Sequence, residues 1–108
     1  MKGFNELFES LKSEAAELIR MYVKKGGRKA EAEVISFLKE SKFSLLRWTE
    51  LLSKGVISPE EFEWLIQSKK DLLQLQVLRQ SGLARIQIDK IKNGLLKLMS
   101  RKFIQGLT

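Results

Sequence analysis

Two pairs of glutamates are spaced so that they could do chemistry. Glu14 with Glu17, and Glu60 with Glu63, lie three residues apart, so in a helix each pair would share one face. Neighbouring carboxylates can share a metal ion or divide acid and base roles, but such sites in helical bundles usually add histidine. The 108-residue chain has no histidine and no cysteine, which also excludes a thiolate nucleophile, a disulfide and a Cys/His zinc site. We therefore interpret both pairs as solvated surface and predict a non-enzymatic protein without catalytic residues, metal or cofactor.

A group of basic residues near the carboxyl terminus is the second candidate. In a helix, Lys90, Lys97 and Arg101 fall within roughly 40° of one another at 100° per residue. Such a stripe could neutralise nucleic-acid phosphates or contact an anionic membrane surface. The other interpretation is an ordinary solvated face, because no aromatic residue interleaves with the basic ones as a stacking platform. Further basic residues in the first predicted turn could extend this surface: Lys24, Lys25, Arg28 and Lys29.

The composition predicts one folded, soluble domain covering residues 1–108. Apolar residues make up 44% of the chain and charged residues 31%, a balance typical of globular proteins. The formal net charge is +7, and the excess is largest in residues 83–108, which hold six Lys or Arg and one Asp. No apolar run approaches the roughly 20 residues that span a bilayer, and the amino terminus lacks the apolar segment of a signal peptide. We expect a cytoplasmic protein.

Apolar residues recur at spacings of four and three along most of the chain, which predicts amphipathic helices. The predicted helices are roughly 4–25, 29–54, 59–80 and 84–106. Gly26 and Gly27 are expected to let the first helix end in a left-handed cap. The second segment keeps its apolar phase across residues 40–44, which favours one helix over a break near Lys42 with Ser44 as a new N-cap. The predicted fold is all-α, a small bundle or set of helical hairpins with four helices, or five if that break occurs.

The boundary between the second and third helices carries four separate signals. Gly55 can end the second helix, and Ser58 is a good N-cap for the third. Pro59 suits the first helical position, and Glu61, at the third, can complete a capping box with Ser58. We predict a tight turn here.

The third predicted helix is apolar on two sides. Phe62 and Ile66 belong to one broad face, whereas Trp64, Leu75 and Leu78 lie nearly opposite. A helix that is apolar on both sides needs both sides covered. Trp64, Leu75 and Leu78 therefore predict either a second core face or a surface that binds a partner.

The turn could also belong to a helix-turn-helix reader of nucleic acid. Two features oppose that interpretation. Val56 and Ile57 make the turn one residue longer than the common pattern. In addition, the start of the next helix presents Glu60, Glu61 and Glu63, which would repel phosphates where a recognition helix approaches them. Acidic residues are favoured in the first turn of any helix.

The stretch "WTELLSKGVISPEEFEWLIQSKKDLL", residues 48–73, resembles the SHOCT (short C-terminal) domain, a small helical module. The matching residues are Leu51, Leu52, Gly55, Ile57, Ser58, Glu60, Glu61, Phe62, Glu63, Lys69, Lys70 and Leu72. The resemblance covers about a quarter of the chain, and the stretch is central here rather than terminal. It implies a helical hairpin with a role in assembly or binding and no catalytic residues.

The sequence thus favours a small interaction protein that self-associates or binds another helical chain through apolar helix faces. The alternative is a basic protein that uses its last helix to bind nucleic acid, or an anionic membrane surface. Nothing in the sequence points to a small-molecule substrate.

Overall fold

Five helices account for most of the chain that the computed structural model describes, which is residues 3–24, 27–69, 76–80 and 82–107. They are α1 (Phe4–Tyr22), α2 (Gly27–Ser53), α3 (Pro59–Gln67), α4 (Gln76–Gln80) and α5 (Arg85–Leu107). No strand occurs within these ranges. The predicted all-α fold is confirmed.

Helices α1, α2 and α5 form a three-helix bundle in which α1 is antiparallel to both partners. At one end of the α1/α2 pair, Arg20 Nε lies 2.8 Å from Glu31 Oε1, and towards the other end Lys42 Nζ lies 5.1 Å from the centre of the Phe8 ring. The hydrogen bond from Arg20 to Glu31 and the negative charge of that carboxylate raise the pKa of the arginine above its ordinary value. Because α1 is antiparallel to both α2 and α5, the latter two run parallel.

Helix α5 packs on α1 through residues 94, 102 and 106, which lie on one four-residue ridge of the kind common in helix packing. A Cβ atom built on Gly94 would lie 3.5 Å from Leu18 Cδ2, and one built on Gly106 would lie 2.7 Å from Leu7 Cδ2. Between these glycines, Lys102 pairs with Glu14 and donates a 2.9 Å hydrogen bond to Ser10 Oγ. The two glycines thus allow α5 to approach α1 closely on either side of the polar contacts that Lys102 makes with Glu14 and Ser10.

Helix α2 is continuous, which confirms the favoured interpretation, and the alternative break near Lys42 does not occur. Ser44 lies within the helix, and Ser41, three residues earlier, is buried. The apolar residues before and after this segment lie on the same side of the helix and pack into the same core, so the helix axis does not need to change direction. The end of α1 differs from the prediction: it comes at Tyr22, with Val23 as an extended C-cap, rather than at residue 25.

The predicted left-handed cap at Gly26 and Gly27 is not where α1 ends. Gly27 is the first residue of α2 and is not among the glycines with positive φ, while Gly26 lies outside the described residues. The extended conformation of Val23 already turns the chain, and its N–H donates to Ile19 O.

The third predicted helix, 59–80, is wrong in its extent. Helix α3 ends at Gln67, where the N–H of Ser68 bonds to Trp64 O and that of Lys69 bonds to Ile66 O, a tightened final turn. The Ser68 hydroxyl donates to Leu65 O, a local bond that competes with helix propagation. Residues 70–75 lie outside the described part, and the separate helix α4 covers 76–80.

Aromatic side chains attach α3 to the end of the bundle where α1 begins and α5 ends. The Phe62 ring meets Phe103 edge-on at 6.3 Å, and Phe4 stacks on Phe103 at 5.4 Å. Phe62, Phe103 and Ile66 are completely buried. Burial of these side chains holds α3 in one orientation and decides which of its residues face solvent.

Candidate functional site

Backbone hydrogen bonds set the direction in which α3 leaves α2. The N–H of Val56 donates to Leu51 O and that of Gly55 to Leu52 O, the bond pattern of a Schellman motif, with Gly55 at φ 73°. Ser58 Oγ accepts from the N–H of Glu61, whose carboxylate accepts from the N–H of Ser58, both at 3.1 Å. The predicted glycine stop and capping box are confirmed, and they make α3 a rigid support for its outer residues.

The outward side of α3 is acidic around one tryptophan. Trp64 is 70% exposed, and Glu60 and Glu63 beside it are exposed as well. We call these three residues the α3 outer face. No Lys or Arg occurs between Pro59 and Gln67, and the ammonium of Lys69, just beyond the helix, lies 5.5 Å from the centre of the Trp48 ring. The α3 outer face is therefore a negative patch with a large apolar centre.

The predicted cluster of Trp64, Leu75 and Leu78 does not form one exposed surface. Leu78 is completely buried in the core from α4, whereas Trp64 faces solvent. Leu75 lies outside the described residues. The prediction assumed one unbroken helix, so the end of α3 at Gln67 invalidates the angle on which it relied. The sequence predicted either a second core face or an exposed surface for these residues. Leu78 belongs to the core, and Trp64 lies on the surface.

The predicted basic stripe on α5 is exposed along its whole length. Lys90, Lys97 and Arg101 all face solvent, and none of the three takes part in the ion pairs found among the described residues. Along the helix axis, Lys90 and Lys97 are about 10.5 Å apart, and Lys97 and Arg101 about 6 Å apart. The stripe therefore presents three unpaired cations on one side of one helix.

Ile86 extends the same stripe, and sequence reasoning missed it. It precedes Lys90 by four residues, lies within about 60° of Arg101 on the helix, and is 66% exposed. The four-residue spacing from Lys90 was the signal that could have found it. We call Ile86, Lys90, Lys97 and Arg101 the α5 outer stripe.

The only acidic residue in α5 does not interrupt the stripe. Asp89 is half-buried and lies in a surface depression lined also by Arg79, Arg85 and Lys92, so cations outnumber its carboxylate locally. The potential along this side of α5 is therefore positive.

The basic residues of the first turn do not form a site of their own. Lys24, Arg28 and Lys29 are exposed, and Lys25 lies outside the described residues. A shallow groove nearby, between α1 and α2, carries charges of both signs: Lys12, Arg20 and Lys39 with Glu17. Two of these cations already have carboxylate partners, Lys12 with Glu9 and Arg20 with Glu31, so little positive charge remains to bind an anion.

Within the described ranges, no three acidic side chains are grouped closely enough to hold a metal ion. Of the helices described, none is both long and apolar enough to cross a membrane.

Comparison of the chain with protein-family models, with curated proteins and with solved structures finds no match. The resemblance of residues 48–73 to the SHOCT domain therefore stays a prediction.

Proposed function

We propose that this protein is a small, non-enzymatic assembly protein that self-associates through the α3 outer face. The observation that carries the proposal is the 70% exposure of Trp64 on a helix whose start and orientation are tightly held. Tryptophan is costly to leave in water and is the residue type most enriched among interface residues that dominate binding energy. A partner surface over the indole would remove this cost.

Trp64 is not needed to hold the fold together. The attachment of α3 to the bundle comes from Phe62 and Ile66, both fully buried on the opposite side of the helix. Replacing Trp64 should therefore change association without unfolding the chain. This separation makes the residue a clean probe of the proposed function.

Phe43 offers a matched control. It is 87% exposed on α2, and the residues four positions away on either side are Lys39 and Arg47, with Glu40 the single carboxylate within one helical turn. The proposal needs an apolar side chain within an acidic surface on the capped helix α3, and Phe43 lies among cations on α2, so Phe43 should play no part in association.

Light scattering coupled to size exclusion, over a range of protein concentrations, tests the proposal. The wild-type chain should show a mass above the 12.5 kDa of one chain. Trp64→Glu should weaken association by about 30-fold or more, since loss of a dominant interface residue costs about 2 kcal/mol or more. Phe43→Glu should leave the mass unchanged, and circular dichroism should show both variants folded. A wild-type monomer at the highest concentration, or equal effects of the two substitutions, would refute the proposal.

A further inference from the structure

Two exposed helix faces of this molecule are complementary in charge, and each contains a large exposed apolar side chain. The α3 outer face combines Trp64 with Glu60 and Glu63, and the α5 outer stripe combines Ile86, itself 66% exposed, with cations. Opposite charge steers such faces together, and the apolar side chains supply area to bury once they meet.

Trp64 and Ile86 cannot meet within one chain. Helix α3 packs at the carboxyl-terminal end of α5, where Phe62 contacts Phe103. Ile86 lies 17 residues before Phe103, about 26 Å away along the helix axis. Ile86 can therefore cover Trp64 only from another molecule.

Contact between two α3 outer faces is disfavoured by charge. A two-fold contact centred on Trp64 would bring four carboxylates, Glu60 and Glu63 of each copy, into one interface with no cation from either α3 outer face. Like charges brought together in this way oppose association. Among the exposed basic surfaces, the α5 outer stripe combines Ile86 with three cations and no carboxylate, whereas the cations around Phe43 on α2 lie beside the exposed Glu40.

We propose that the α3 outer face of one copy binds the α5 outer stripe of a second copy. The inference rests on the proposed self-association and names the surface that receives Trp64. The indole packs on Ile86 and the aliphatic part of Lys90, with the Lys90 ammonium near the ring face. Glu60 and Glu63 face Lys90 and Lys97.

The α3 outer face is shorter than the surface that would receive it. Glu60 and Trp64 are about 6 Å apart along the axis of α3, and Ile86 and Lys97 are about 16.5 Å apart along that of α5, so the whole α3 outer face fits within this part of α5. One contact between such short helical surfaces is small. In a two-fold dimer the α3 outer face of each copy contacts the α5 outer stripe of the other. The same contact is then made twice, and no further copy can add to the dimer.

A reciprocal charge exchange tests this arrangement. In one variant, Glu60→Lys with Glu63→Lys makes the α3 outer face basic, like the unchanged α5 outer stripe. In the other, Lys90→Glu with Lys97→Glu makes the α5 outer stripe acidic, like the unchanged α3 outer face. Each variant alone should be monomeric by light scattering. The equimolar mixture should form a complex of twice the one-chain mass, because both contacts are complementary only between unlike variants. Each pair of substitutions changes the formal charge of +7 by four, so both chains stay positive and general attraction between them is excluded.

Glu6→Lys with Glu9→Lys is the matched control, since both residues are exposed, lie three apart near the start of a helix and change the net charge equally. This variant should associate like the wild type, and raising the salt concentration should weaken wild-type association. If Trp64→Glu abolishes association but the mixture stays monomeric, the inference fails while the proposed function stands. If the wild type is monomeric and its α5 outer stripe instead binds a fluorescein-labelled single-stranded RNA in a salt-dependent manner, both proposals are overturned.

Discussion

The same substitution at two glycines of α5 should have opposite effects on stability. Glycine within a helix costs about 1 kcal/mol relative to alanine. At Gly94 an added Cβ would meet Leu18 at 3.5 Å and 3.7 Å, which is ordinary van der Waals contact. Gly94→Ala should therefore raise the free energy of unfolding by about 1 kcal/mol. At fixed protein concentration this corresponds to an increase in Tm of about 4 °C.

At Gly106 the same Cβ would lie 2.7 Å and 2.8 Å from the two methyl groups of Leu7 and 3.3 Å from its Cγ. Leu7 is only 2% exposed, so its side chain cannot move aside without disturbing the core. Overpacking of this kind costs about 1–3 kcal/mol. The helix-propensity gain is small at this position because the helix ends at Leu107. We expect Gly106→Ala to lower the free energy of unfolding by about 1 kcal/mol or more.

Urea unfolding followed by circular dichroism, with both variants at one protein concentration, measures these differences. A fixed concentration is needed because association of folded chains adds to apparent stability. The slope of the transition should match that of the wild type, so that a shift in midpoint reports stability alone. If Gly106→Ala is as stable as Gly94→Ala, or if Gly94→Ala is destabilising, the described approach of α5 to α1 is incorrect.

Two further substitutions test how α3 is held. Ser58→Ala should lower the free energy of unfolding by about 1 kcal/mol, because it removes the acceptor of the Glu61 N–H. Ser58→Thr keeps a hydroxyl and should lower it clearly less. Equal losses for the two variants in urea unfolding would show that the hydroxyl does not stabilise the start of α3. Phe62→Ala should cost about 3–5 kcal/mol because the ring is completely buried, and Phe43→Ala should change stability by less than about 0.5 kcal/mol. Thermal melts that show a small effect for Phe62 would contradict its place in the core.

Local chemistry made the turn between α2 and α3 predictable. Gly55 adopts positive φ and Ser58 with Glu61 forms the capping box, because these residues act through backbone groups within a few positions of themselves. The continuity of α2 was likewise indicated by its uninterrupted apolar phase. The exposure of Lys90, Lys97 and Arg101 followed from their position opposite the apolar residues of the same helix.

Features that depend on contacts between helices were harder to predict from the sequence. The end of α3 at Gln67 had no glycine or proline to mark it, and the apolar pattern continued beyond that point. The position of Leu78 around the helix was calculated as if α3 continued past Gln67. Leu78 instead lies on the separate helix α4 and is buried in the core. The acidic side chains near Trp64 were interpreted as favourable first-turn residues, which they are. That they surround an exposed indole could be seen only once the structure showed which side of α3 is buried.

The sequence by itself determined the helical class, the α2/α3 turn and the basic side of the last helix, since periodicity and capping operate within one or two helical turns. The tertiary structure decided which apolar residues remain outside, because burial depends on what packs against each helix rather than on its own pattern. Phe62 and Trp64 stand two residues apart on one helix, and the position of Phe103 is what places the first in the core and leaves the second in solvent.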